Sequence, residues 1–172
     1  LRYQNYDALV TPWPSSLTDL IMIHIGNLSG LLKHLVDLPS TLTSAVFEGR
    51  YLLDGTPIVW PSLTSLGWNV HAPTLHFVSD LPRTLTRLSL ELNVSEGAAK
   101  ESIWSLLPPS LTDINVVGGQ KWVLAPTPGD LKRFPLLRQF AFEDFFSLFD
   151  DDPDDGEQVT IDAYWQACPH LE

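Results

Sequence analysis

Among its 172 residues the chain has one cysteine, one methionine, ten basic residues and no long apolar run. Each shortage excludes something. A lone Cys168 rules out an internal disulfide framework and the tetracysteine zinc sites. With no apolar stretch of about 18 residues, no membrane span is expected. Ten Lys and Arg against 21 Asp and Glu give a formal net charge of −11. That field repels phosphate backbones, so nucleic acid is not an expected ligand. Part of the charge is local, because the run FDDDPDDGE at Phe149–Glu157 holds six carboxylates and the rest of the chain carries only −5. Charged residues make up 18%, low for a compact globule and suited to an elongated one whose turns are filled by Ser, Thr and Pro. The opening LRYQNYDALV has neither an initiator Met nor an apolar signal region and reads as cut from something longer.

What is present is a repeated phrase. At 44% hydrophobic the chain belongs with folded proteins. Its clearest stretch is Leu81–Leu92, LPRTLTRLSLEL, where Leu85, Leu88 and Leu90 form an L-x-x-L-x-L core three residues after Pro82. The same wording recurs with anchor leucines at 17, 42, 63, 85, 111 and 137, and a seventh unit opens at Pro169-His170-Leu171. The gaps are 25, 21, 22, 26, 26 and 34 residues. The two positions that follow each anchor are Leu20 and Met22, Ala45 and Phe47, Leu66 and Trp68, Leu88 and Leu90, Ile114 and Val116, Phe140 and Phe142. All twelve are apolar, which 44% apolar content would give by chance roughly once in 10⁴ to 10⁵ trials.

Two apolar positions two apart point to one face of a short strand. One such strand cannot bury its face alone, so the units must stack, and because a return segment follows each strand the strands run parallel. The returns differ in kind. Gly30–Asp37, Ala98–Leu107 and Ile161–Ala167 have helical apolar spacing, Thr74–Asp80 is a helical turn, and Gly55–Trp60 with Pro57 is extended. Gly118-Gly119 is a turn, and the acidic run 149–158 is a loop inserted in the sixth unit.

These phrases resemble the leucine-rich repeat superfamily along essentially the whole chain. LPSTLT, LPRTLT and PPSLT are similar to the LPxxL branches, found in FNIP-type repeats of amoebae and in some bacterial effectors. The ending YWQACPHLE instead resembles the F-box-associated and fungal branch of eukaryotic repeats. One feature departs. The family's usual asparagine falls in this register at Ile25, Arg50, His71, Asn93, Gly119 and Phe145, and only Asn93 complies. The expected fold is therefore α/β, a leucine-rich-repeat solenoid with a curved parallel β ladder and helical and extended returns. It occupies residues 1–172 as one domain of about six repeats plus the start of a seventh, with flanking repeats of the same chain expected.

The resemblance implies binding of a protein on the concave strand face, whose residues alternate with the core positions. Those expected to touch a partner are Asp19, Glu48, Asn69, Arg87, Glu91, Asp113, Asn115, Gln139 and Glu143. Five acids and one base make that face negative, which fits a basic or polar partner. Substrate recognition in an F-box-like ubiquitin-ligase adaptor is one reading. A secreted or surface adhesion repeat is another, for which the sequons at Asn27 and Asn93 speak, while the lack of cysteine-capped ends favours an intracellular protein. An enzyme is the third reading and the least favoured. For it, concave carboxylates such as Glu91 and Asp113 on neighbouring strands would have to act as a catalytic pair, and no G-x-S-x-G, H-E-x-x-H or phosphate-cradling glycine pattern occurs.

No metal or other cofactor is expected. His71 and His76 are five apart rather than three or four, and an EF-hand register from Asp151 puts Pro153 at a carboxylate position. Of the tryptophans, Trp68, Trp104 and Trp165 are read as core, while Trp13 and Trp122 are less constrained.

Overall fold

The computed structural model describes residues 2–3, 13–23, 38–52, 60–72, 76–94, 102–117, 126–142 and 166–171. They form one seven-stranded sheet whose spatial order is the chain order. The strands are β1 Arg2–Tyr3, β2 Asp19–Ile23, β3 Ser44–Leu52, β4 Ser65–Ala72, β5 Arg87–Val94, β6 Asp113–Val117 and β7 Gln139–Phe142. Every neighbouring pair is parallel. The two-residue β1, placed ahead of the first unit, has no counterpart in the repeat pattern. The described return segments contribute 3₁₀ turns at His76–Asp80 and Ile103–Ser105 and a short helix, α1, at Pro128–Leu131, and Gln166 and Ala167 are helical as well.

Each unit begins with a turn that its proline shapes. The amide of the anchor leucine bonds back to the proline carbonyl three residues earlier, as in Leu17 to Pro14, Leu42 to Pro39 and Leu85 to Pro82 (3.0, 3.0 and 3.1 Å). In the shorter third unit Leu63 reaches only two residues back, to Pro61 at 2.7 Å. The sixth and seventh turns shift the proline one place inward. Leu137 bonds to Phe134 and Leu171 to Cys168, so Pro135 and Pro169 take the second corner that a fixed φ suits.

Behind the turns the pairing register aligns equivalent residues of successive units. Leu20, Ala45, Leu66, Leu88, Ile114 and Phe140 face one another in a single row, as do Met22, Phe47, Trp68, Leu90, Val116 and Phe142. Ten of these twelve are buried, and Phe140 and Phe142 pack half-buried against the same cluster. The anchor leucines close the core on the turn side, and no polar or charged residue is buried among the described ones. Aromatic rings fill its wider parts. Phe47, Trp60 and Trp68 pack with centroids 5.2 to 6.2 Å apart, and Trp104 meets Phe140 and Phe142 at 5.7 and 6.1 Å. Tilted and edge-on contacts of this kind are the ones favoured by the ring quadrupole.

Several expectations need amendment. The Ala98–Leu107 return is a 3₁₀ turn where it is described, at Ile103–Ser105, rather than a helix. Trp13 is not an unconstrained surface residue, because it is 7% exposed within the core cluster. The return of the fifth unit carries a helix that its sequence did not announce. In α1, Thr127 caps the Asp130 amide at 3.1 Å, Asp130 returns a carboxylate to the Thr127 amide at 2.9 Å, and Pro128 occupies the first turn. The helical expectation at Gly30–Asp37, Trp122, the acidic run and Asn27 lie outside the described residues, as does most of Gly55–Trp60 and of Ile161–Ala167.

A ladder of hydroxyls links the strand entrances. The threonine after each of the second to fifth anchor leucines donates to the carbonyl of the equivalent threonine one unit earlier. The contacts run Thr43 to Thr18 (3.2 Å), Thr64 to Thr43 (3.1 Å), Thr86 to Thr64 (3.0 Å) and Thr112 to Thr86 (3.0 Å). The residue before the anchor adds a second line. Thr41 lies within reach of the Ser15 and Leu17 carbonyls, Thr84 donates to Leu63, and Ser110 serves Arg83 and Leu85, all at 2.7 to 2.9 Å. The [ST]-L-T part of the phrase thus ties each strand entrance to the one before it, its second threonine adding a hydroxyl to carbonyls that already accept two backbone amides each.

Candidate binding face

On the side of the sheet opposite the core, the register sets the predicted residues in rows. Asp19, Ser44, Ser65, Arg87, Asp113 and Gln139 form the first row, nearest the turns. Ile21, Val46, Gly67, Ser89, Asn115 and Ala141 form the second. The third begins Ile23–Glu48 and continues Asn69–Glu91–Val117 across β4, β5 and β6. Between those two pieces the pairing slips. Phe47 pairs with Trp68 and the next pair is Tyr51 with Val70, so residues 48–50 of β3 stand against Asn69 alone. This bulge removes Glu48 from the row that its spacing predicts. Glu143 lies outside the described residues.

A groove of about 470 Å³ crosses the face over the first two rows, from Val46 on β3 to Ala141 on β7. It exists because the second row is made of small side chains over Gly67, Ser89 and Ala141. Gly67 is decisive at the β3–β4 end. A Cβ there would lie 3.5 Å from both methyls of Val46, in ordinary contact, so glycine leaves a shallow dent against the valine. The middle of the groove is polar. Asn115 donates to Ser89 across β5–β6 at 3.2 Å, and the Thr112 hydroxyl divides its one proton between the Thr86 carbonyl at 3.0 Å and the Asp113 carboxylate at 2.5 Å. Arg87 and Asp113 sit side by side on adjacent strands and bring opposite charges to the same wall.

Of the expected site residues, Asn69, Arg87, Glu91, Asp113, Asn115 and Gln139 share this continuous patch, and Asp19 stands at its β2 end. The acid pair does not form. Glu91 pairs with Val117 and Asp113 with Arg87, an offset of four residues, or about 13 Å at 3.3 Å per residue. That is too far for two carboxylates to work on one bond. Asn69 carries a different signal, since its Oδ1 is shielded from solvent with no donor among the described residues. A buried acceptor left without a donor is uncommon. Burial also pushes the Cys168 thiol above its ordinary range, away from the reactive thiolate, and its Sγ lies 3.9 Å from the Leu131 carbonyl.

Among the described residues no three His, Cys, Asp or Glu side chains cluster as a metal ion requires. Among them, too, no helix is long and apolar enough to cross a membrane. In comparisons with known proteins, the chain matches no family model, no curated protein and no solved structure.

Proposed function

We propose that the chain is a segment of a leucine-rich-repeat solenoid and that it works as a protein-interaction scaffold, docking its partner on the exposed strand face. The observation that carries this reading is the groove across β3–β7, which gathers Arg87, Asp113, Asn115 and Gln139 around a floor of small residues. A surface of that kind combines a dent for a partner's side chain with polar groups that fix its orientation. Among the described residues, the Glu91 and Asp113 carboxylates weighed for catalysis are set about 13 Å apart by strand register. Within this reading, the CPHLE ending points to the adaptor of an F-box-like ubiquitin ligase, with the face recruiting a substrate. A basic or polar partner suits the negative face.

The test is affinity capture from native extract with three forms of the chain. One is wild type, one carries Arg87→Glu with Glu91→Lys, and one carries Asp151→Asn with Asp152→Asn in the acidic run. The first double variant reverses polarity across β5 without altering net charge, so a lost partner reports the face rather than bulk electrostatics. Proteins held by wild type and the acidic-run variant but lost by the swap support the reading. Retention by the swap moves the site to the returns, and retention by none favours an adhesion or structural repeat.

A further inference from the structure

Resting on that docking face, we infer that the partner presents an asparagine or glutamine to it, whose side-chain amide bridges Arg87 and Asp113 in the middle of the groove. Among the described residues that line the groove only those two are charged, and their signs are opposite. They pair across β5–β6 in the first row, one strand spacing of about 4.8 Å apart. An anion settling on Arg87 would meet the carboxylate beside it, and a cation settling on Asp113 would meet the guanidinium. Complementarity therefore selects a group without net charge that accepts from one and donates to the other.

Both residues have capacity to spare. Arg87 is exposed, and no hydrogen bond or ion pair joins its guanidinium to Asp113 or to any other described residue. Asp113 takes the Thr112 hydroxyl on Oδ2, which leaves Oδ1 able to accept. A primary amide carries its acceptor and its donors on separate atoms, so it spans two neighbouring side chains, whereas a hydroxyl holds both functions on one. The polar groups around the pair are uncharged and serve a neutral segment in the same way. Ser65 adjoins Arg87, and Gln139 adjoins Asp113. In the next row Asn115 donates to Ser89 at 3.2 Å, leaving the Asn115 carbonyl and the serine proton for the chain that carries the amide.

The experiment is selection from a soluble library of nonapeptides, each randomised at six central positions. Acetyl and N-methylamide ends keep the termini from bringing a charge or a primary amide of their own. Selection is run on wild type and on Lys132→Gln, a control outside the face, and both should enrich Asn or Gln at one position. A selected peptide is then measured against Arg87→Met and Asp113→Ala, after far-UV circular dichroism and urea midpoints establish that each variant folds. Each should weaken it about tenfold, the usual effect of removing a charged hydrogen-bond partner. Replacing the peptide's amide by the carboxylate of the same shape should weaken binding to wild type to a similar degree.

The direction of the two effects separates the occupants. A bound anion would be weakened by Arg87→Met and tightened by Asp113→Ala, and a bound cation would show the reverse. Either pattern overturns the inference, as does enrichment of side chains other than Asn and Gln. If no peptide is enriched while capture still yields proteins lost by the β5 polarity swap, the bridging amide is wrong and the docking face stands. If the swap also loses nothing, both fall.

Discussion

At the scale of the residue, the core positions and the hydroxyl ladder make separable contributions. Leu90 is fully buried between Trp68 and Val116 in the inner row. Leu90→Ala should lower stability by about 2–5 kcal/mol, read as a shift in urea midpoint at constant slope. Thr86→Val keeps the shape and removes one hydroxyl bond to the Thr64 carbonyl, which still accepts from the Thr86 and Arg87 amides. Its cost should fall near the low end for a hydrogen bond, about 0.5–1 kcal/mol. A loss of several kcal/mol would mean that the ladder does more than satisfy carbonyls.

Cys168 gives a pH signature. Burial raises its pKa, so the folded state holds the thiol proton more tightly than the unfolded state does. That contribution to stability is complete at neutral pH and is lost as pH climbs through and beyond the ordinary thiol range. Wild type should therefore lose melting temperature at alkaline pH more steeply than Cys168→Ala, and its thiol should alkylate slowly until urea unfolds the chain.

At the scale of the element, strands, faces and core rows could be read from the sequence because period-two alternation after an anchor leucine has one physical solution. Other features were hidden, each for its own reason. Helix α1 spans four residues, too few for any periodicity, and its only signal was Thr127-Pro128 with Asp130 three places after the cap. The bulge at residues 48–50 depends on how β3 meets β4, and a lone Gly49 does not declare it. The hydroxyl ladder is written in the sequence as [ST]-L-T, but which carbonyls it meets depends on the register between units. Asn69 joined the candidate site by parity alone, while its unmet acceptor and the groove floor are tertiary facts. Removing the α1 cap with Thr127→Ala should cost about 1 kcal/mol. Because Leu131 and Phe134 are buried beneath that turn and Leu131 adjoins Cys168, the same variant should speed Cys168 alkylation. An unchanged rate would place the thiol's protection elsewhere.

At the scale of the molecule, parallel strands stacked in chain order make each unit depend chiefly on its two neighbours. Damage should spread by position. Leu90→Ala in the middle of the sheet should raise amide exchange in β4, β5 and β6 together, whereas Phe142→Ala on β7 should loosen β6 and β7 and leave β3 protected. Uniform acceleration by both would instead indicate a single all-or-none unit. The same geometry sets one face of every strand against the core and leaves the opposite face as a row-ordered surface. The proposed docking function rests on that row-ordered surface.

The most direct measurement is site-specific photo-crosslinking in native extract. A benzophenone side chain is placed at Ser89 on the groove floor in one form and at Thr127, beside α1 on the return side, in another. The docking-face account predicts a partner crosslinked from Ser89 and absent from Thr127, with the yield falling when Arg87→Glu and Glu91→Lys are added. Crosslinks from Thr127 with none from Ser89 would contradict it, and would put the working surface on the returns.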